Sequence, residues 1–101
     1  MADQIPVACC LSNVELRIRE ATLLAQCKSA ILTREELADG YLFRIPGDKK
    51  SLAVAAELMA AEGECCPFLR FELAAEPEMG PVTVQMTGPA GTKEFLKSIL
   101  L

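Results

Sequence analysis

The first regular spacing of hydrophobic residues begins just after two adjacent cysteines and predicts an amphipathic helix. Ser12 and Glu15 have the S-x-x-E spacing of a capping box, and Leu11 and Leu16 can close a hydrophobic staple across it. Apolar residues then recur on one helical face, at Leu16, Leu23, Leu24, Cys27, Ala30 and Ile31. We therefore predict a helix that is capped by Ser12 and ends near Ala30.

The pattern after this helix favours a β-hairpin. Thr33 and Glu36 could cap a short helical turn within Ile31–Leu37. However, Ala38-Asp39-Gly40 is a turn signal, and the following five residues read as a partner strand. We therefore predict strands over 31–37 and 41–45. Tyr41, Phe43 and Ile45 would share one face of the second strand.

A second helix and a second hairpin follow. Asp48 is a good N-cap, and the alanine-rich stretch from Lys49 to about Glu62 has high helix propensity. Gly63 is the predicted terminator, and Pro67 prevents the helix from running much further. Strands are predicted over 68–76 and 81–87, with a turn over 77–80. A last helix follows the turn 88–92, with an apolar stripe of Phe95, Leu96, Ile99 and Leu100.

These elements predict an α+β fold, with a four-stranded, mainly antiparallel sheet (two hairpins) and three helices in the order αββαββα. Helices are expected on one face of the sheet. The chain has 101 residues and a hydrophobic fraction of 51%, which suits a single domain over 1–101 with one core.

Charge narrows the classes of partner. Ten basic residues against 14 acidic ones give a net charge of −4, so binding to nucleic acid or to an anionic membrane surface is disfavoured. The first residues, Met1 to Gln4, lack a signal peptide's basic region, and no apolar run is long enough to cross a bilayer. We expect a cytoplasmic protein, in which thiols are usually reduced.

Cysteine is the distinctive residue type, with adjacent pairs at Cys9–Cys10 and Cys65–Cys66. The total of five is odd, so a complete set of intramolecular disulfides is impossible. The remaining cysteine, Cys27, lies on the apolar face of the first helix, and we predict that it is buried and inert.

The paired cysteines admit both packing and chemical roles. Cys10 precedes the first helix, whose partly positive end lowers a thiol pKa, whereas Cys9 would point the other way in an extended chain. Cys65 and Cys66 follow the second helix near Glu62, where a thiolate is disfavoured unless a bound cation supplies charge. They could equally pack beside the following phenylalanine. A vicinal disulfide is disfavoured in a reducing compartment.

Several chemistries are excluded or unsupported by residue type. The sequence has no histidine, so Cys–His nucleophiles, Ser–His–Asp triads and histidine-bearing zinc sites are impossible. It has no C-x-x-C motif of thioredoxin or zinc-ribbon type. We also predict that no two carboxylates pair for acid–base catalysis.

The cysteines are part of a wider pattern. It includes Cys10-Leu11-Ser12, Gly40-Tyr41, Thr87-Gly88-Pro89, Lys93-Glu94-Phe95-Leu96 and, most specifically, Cys65-Cys66-Pro67-Phe68. With this pattern the chain resembles, over nearly its whole length, a family of short uncharacterised bacterial proteins. That family has one cysteine before the first helix and a Cys-Cys-Pro-Phe element after the second. The resemblance implies a three-cysteine site at Cys10, Cys65 and Cys66, but no particular reaction. Cys9 and Gly63 depart from the family pattern.

Our preferred hypothesis is binding of a thiophilic metal or metalloid ion, such as Cu(I), Zn(II), Hg(II) or As(III), by a non-enzymatic protein. Three thiolates can make a trigonal site without histidine. Cys10, Cys65 and Cys66 are the predicted ligands, with Cys9 as a spare. This requires the first two helices to run antiparallel, so that Cys10 meets the end of the second helix. The alternatives are an interaction or oligomerisation module with buried cysteines, and a thiol-redox protein that uses Cys10.

Overall fold

Helices and hairpins alternate in the order that the sequence predicts. The computed structural model describes residues 14–101, with Leu16 described by its backbone alone. Its elements are α1 (Val14–Ala30), β1 (Thr33–Leu37), β2 (Gly40–Ile45), α2 (Lys49–Cys65), β3 (Arg70–Ala75), β4 (Val82–Thr87) and α3 (Thr92–Leu100). The α+β class and the αββαββα order are confirmed. The predicted cap at Ser12 lies outside the described residues.

The four strands form one antiparallel sheet in the order β1-β2-β4-β3. The hairpins therefore meet through β2 and β4, where Phe43 lies opposite Val84. Tyr41, Phe43 and Ile45 are all buried, which confirms that they share the core face of β2. The intervening Arg44 is exposed, so the other face of β2 is open to solvent.

All three helices contribute to the core on this face. The largest cluster of buried residues comprises Leu23, Cys27, Tyr41, Phe43, Ile45, Ala55, Leu58, Val82, Val84, Met86, Leu96 and Leu100. Cys27 is 3% exposed, which confirms its predicted burial. An ion pair between Lys93 and Glu36 links α3 to β1 at the surface.

The second helix is capped as predicted but ends later than predicted. The Asp48 carboxylate accepts a hydrogen bond from the Ser51 backbone N–H at 3.1 Å. Gly63 does not terminate the helix, since the chain stays helical as far as Cys65. The chain leaves the helix at Cys66, with φ −127° and ψ 73°, because a residue before proline disfavours the helical conformation. The turn that follows also delays β3 to Arg70.

The first two helices run antiparallel, as the hypothesis of a shared cysteine site requires. Near the start of α1, Arg19 forms an ion pair with Glu57 at the middle of α2, and the next residue, Glu20, lies within 4.8 Å of Glu62 in the last turns of α2. At the other end, Ala30 lines the same cleft as Lys50 and Val54, near the start of α2. The first turns of α1 therefore lie beside the last turns of α2.

Candidate functional site

The buried stripe of α2 ends in a carboxylate and a thiol instead of further aliphatic residues. Ala55, Leu58, Glu62 and Cys65 are the buried residues of this helix. Their spacing places them on one face, directed towards the protein interior. Glu62 is 1% exposed and Cys65 is fully buried, as is Cys66 immediately after the helix. A normally charged side chain therefore occupies a position where the helix pattern calls for an apolar one.

Aromatic and aliphatic side chains enclose the two cysteines. Cys65, Cys66 and Phe68 form a buried cluster of their own, and Leu69 and Phe95 pack against it. The rings of Phe68 and Phe95 meet edge to face, with centroids 5.1 Å apart. This confirms that both cysteines pack beside Phe68. It also places their sulfur atoms in surroundings where an uncompensated charge is costly.

The first helix adds a second carboxylate to this cluster. Glu20 is half-buried. One of its carboxylate oxygens forms a group with one carboxylate oxygen of Glu62 and the sulfurs of Cys65 and Cys66, and these four atoms all lie within 4.8 Å of one another. A tetrahedral zinc site with ordinary bond lengths needs ligand atoms roughly 3.5–3.8 Å apart. Small side-chain movements therefore suffice for these residues to hold a cation.

The carboxyl group of Glu62 lacks the partners that a buried charge needs. Within residues 14–101, neither of its oxygens has a hydrogen bond of good geometry. Burial raises its pKa from the ordinary value of 4.5 to about 7. The Cys66 thiol opposes this rise in the pKa, whereas the carboxyl group of Glu20 adds to it. Glu62 is therefore protonated for part of the time near neutral pH, unless a cation stabilises its charge.

The sulfur atoms are in different oxidation states. Cys65 is disulfide-bonded, whereas Cys27 and Cys66 are reduced thiols. Cys65 and Cys66 therefore form no vicinal disulfide, but the expectation that the thiols are reduced does not hold at Cys65. A disulfide sulfur is not a thiolate, so Cys65 becomes a metal ligand only after a two-electron reduction.

The structure brings together one of the predicted cysteine pairs. Cys65 and Cys66 adjoin each other at the end of α2, next to the first turns of α1. Cys9 and Cys10 lie outside the described residues, so their approach to this pair stays a prediction. Cys27 belongs to the main core instead, and burial raises the pKa of its thiol.

Neither carboxylate was among the site residues predicted from sequence, although Glu62 is buried and Glu20 lies within 4.8 Å of it. That no two carboxylates pair for acid–base catalysis stays a prediction. One signal was available for Glu62, since it precedes Cys65 by three residues and Cys66 by four. On a continuous helix that spacing places the groups on one face. Because the helix was predicted to end at Gly63, the shared helical face of Glu62, Cys65 and Cys66 was not recognised. Glu20 carried no such signal, because its place depends on how α1 packs against α2.

Comparison of the chain with protein-family profiles, curated proteins and solved structures finds no match. The resemblance to a family with a three-cysteine site therefore stays a prediction. No helix within residues 14–101 is both long enough and apolar enough to span a membrane. The chemistry of the cluster is thus the basis on which a function can be argued.

Proposed function

We propose that this protein binds a thiophilic metal or metalloid ion through Cys10, Cys65 and Cys66, with Cys9 as a spare ligand. The observation that carries the proposal is the convergence of Glu20, Glu62, Cys65 and Cys66 within 4.8 Å of one another. Thiolates select soft and borderline ions, and closely grouped donors from different elements are the usual form of a protein metal site.

Electrostatics at the cluster favour a cation. The pKa of Glu62 is raised by burial and by Glu20, and no basic side chain is among the groups that shift it. The cluster also lies at the end of α2, where the helix carries partial negative charge. A bound cation would neutralise the carboxylate and hold the thiolates ionised in surroundings that otherwise disfavour both.

The disulfide at Cys65 sets a condition on ion binding, because a disulfide sulfur cannot serve as a thiolate ligand. Reduction by two molecules of a thiol such as glutathione, which are oxidised to their own disulfide, would supply two electrons and two protons, break the S–S bond and leave two thiols able to bind an ion.

The test is ion binding by anaerobically purified, fully reduced protein. We expect one ion per chain by elemental analysis, and binding weaker by at least about 100-fold in Cys10→Ala, Cys65→Ala and Cys66→Ala variants. Cys27→Ala is the matched control, because that cysteine lies in the main core. Failure to bind any of Cu(I), Zn(II), Hg(II) or As(III) would refute the proposal, as would an equal loss in the Cys27→Ala control.

The state of the sulfur atoms favours one second candidate, a thiol-redox function. A disulfide at Cys65 lies beside the reduced thiol of Cys66. Oxidation of two thiols here would transfer two electrons and two protons to a disulfide or a peroxide. Both sulfurs are fully buried, which opposes exchange with a large partner. Rapid oxidation of the reduced protein by small disulfides, unaffected by added metal ions, would favour this candidate over ion binding.

A further inference from the structure

The cluster at the end of α2 offers oxygen as well as sulfur to an ion, and this mixture discriminates among ions. We propose that Glu62 is a direct metal ligand and that it makes the site selective for a borderline divalent ion of the Zn(II) class over Cu(I), Hg(II) and As(III). This inference rests on the proposed function and specifies which ion the same site takes. Glu62 was absent from the ligands predicted from sequence.

The geometry is that of a helical ligand motif. Glu62 precedes Cys65 by three residues and Cys66 by four, and all three side chains are at most 1% exposed. The carboxylate oxygen and both sulfurs lie in the group within 4.8 Å. Neither carboxylate oxygen has a well-formed hydrogen bond within residues 14–101. A ligand bond to a cation would give the buried carboxylate a positively charged partner, whereas its neighbours in the cluster are the Cys66 thiol and the Glu20 carboxyl group.

Ligand hardness separates the possible ions. Zn(II) accepts cysteine sulfur and carboxylate oxygen together, at about 2.3 Å and 2.0–2.2 Å, in a tetrahedral arrangement. Cu(I) and other soft ions select thiolate or thioether ligands, so a carboxylate adds little to their binding. The oxygen donor of Glu62 therefore increases the affinity for zinc selectively.

Charge balance acts in the same direction. The three thiolates of the proposed site and the Glu62 carboxylate would contribute four negative charges to a buried site. A divalent ion leaves two of these uncompensated, whereas a monovalent ion leaves three. Because burial makes residual charge costly, the divalent ion is preferred. Glu20, which is half-buried, is a positioning residue that contacts the same group from α1 and can orient Glu62.

A competing explanation is a proton in place of the ion. Glu20 and Glu62 could share one proton as a carboxylic acid–carboxylate pair, and Glu62 would then be structural. Replacement of Glu62 would in that case affect binding of every ion equally, or of none. Selectivity between ions is therefore the measurement that separates the two explanations.

The experiment measures Zn(II) and Cu(I) affinities of the reduced full chain by competition with chelators. In Glu62→Gln we expect Zn(II) binding to weaken roughly 100-fold, because the variant loses a charged ligand that bonds the ion directly. Cu(I) binding should change less than about 3-fold, because its thiolate ligands remain. Glu64→Gln is the matched control, since Glu64 is exposed at the same end of α2. It should change neither affinity.

The atoms that bind zinc can also be identified in the wild-type protein, so this test does not require any variant to fold. X-ray absorption at the zinc edge of the wild-type protein should show at least one oxygen ligand beside sulfur. A sulfur-only shell would overturn the inference, as would equal losses of Zn(II) and Cu(I) affinity in Glu62→Gln. If the wild-type protein binds Cu(I) tightly and Zn(II) weakly, the inference fails and the proposed function stands. If it binds no ion, both fail.

Discussion

The protein buries cysteine in two places, and the two environments differ in one decisive respect. Cys27 lies in the main core, where its cluster contains apolar side chains and one tyrosine. Cys65 and Cys66 are buried at least as completely, but the carboxylate of Glu62 lies beside them. Burial is therefore a poor guide to the role of a thiol in this protein. The neighbouring polar group is what distinguishes a packing residue from a candidate ligand.

The difference has an energetic basis. Burial raises the pKa of the Cys27 thiol, so this residue stays neutral and behaves as a small hydrophobic side chain. At the end of α2, burial also raises the pKa of the Glu62 carboxyl group. A buried carboxylate without a strong partner destabilises the folded state, so ionisation of Glu62 is costly.

The largest effect is expected from removal of a thiol at the end of α2. Cys66→Ala should weaken Zn(II) binding by the reduced protein by at least 100-fold, equivalent to about 2.7 kcal/mol of binding free energy. Cys27→Ala should leave the affinity within about 2-fold of wild type, because Cys27 belongs to the main core and not to the cluster that contains Cys65 and Cys66. Isothermal titration against a competing chelator measures both. Equal losses in the two variants would show that the contrast between the two cysteine environments is wrong.

The next effect concerns the pH dependence of stability in the reduced, metal-free protein. Glu62 has a pKa of about 7 when folded and an ordinary value of 4.5, so the folded state binds its proton more tightly. The free energy of unfolding should therefore fall as pH rises from 4.5 to 7. The full shift corresponds to about 3 kcal/mol. Urea unfolding at several pH values measures the slope.

The Glu62→Gln variant provides the control for that titration. Glutamine has no proton to lose in this range, so the contribution of this position to the slope should vanish. Added Zn(II) should raise the stability of the wild-type protein at pH 7 and above, because binding to the folded state shifts the folding equilibrium. A slope that persists in the variant would assign the effect to another carboxyl group.

The parts of the fold that local signals determine were predictable from sequence. The cap at Asp48, the turn around Gly40 and the alternation in β2 each depend on residues close together in the chain. The site was predictable only in part. Cys65 and Cys66 stood out by composition, but Glu62 was recognisable as their neighbour only once α2 continued through Gly63. Glu20 depends on packing between two helices, which no local signal encodes.

A smaller effect is expected at Cys27, on stability alone. Cys27→Ala removes one buried sulfur and leaves a small cavity, so it should lower the free energy of unfolding by about 1 kcal/mol. Cys27→Val replaces that volume and should cost less. Thermal or urea unfolding measures both variants. A loss above 3 kcal/mol would indicate that the thiol makes a specific interaction, against its classification as a packing residue.

The smallest effect is expected at the surface contact between the two helices that form the site. Arg19 and Glu57 pair across α1 and α2, but their side chains are 64% and 52% exposed. Exposed pairs contribute little because water and salt screen them. In a double-mutant cycle, Arg19→Ala and Glu57→Ala should show a coupling below about 0.5 kcal/mol, decreasing further at 1 M salt. Zn(II) affinity should stay within about 2-fold of wild type, because buried residues such as Leu23 and Leu58 hold the helices against the core. A coupling above 1 kcal/mol, together with weaker Zn(II) binding, would mean that this surface pair sets the approach of Glu20 to Glu62. The site would then depend on exposed charge more than on the buried stripe of α2.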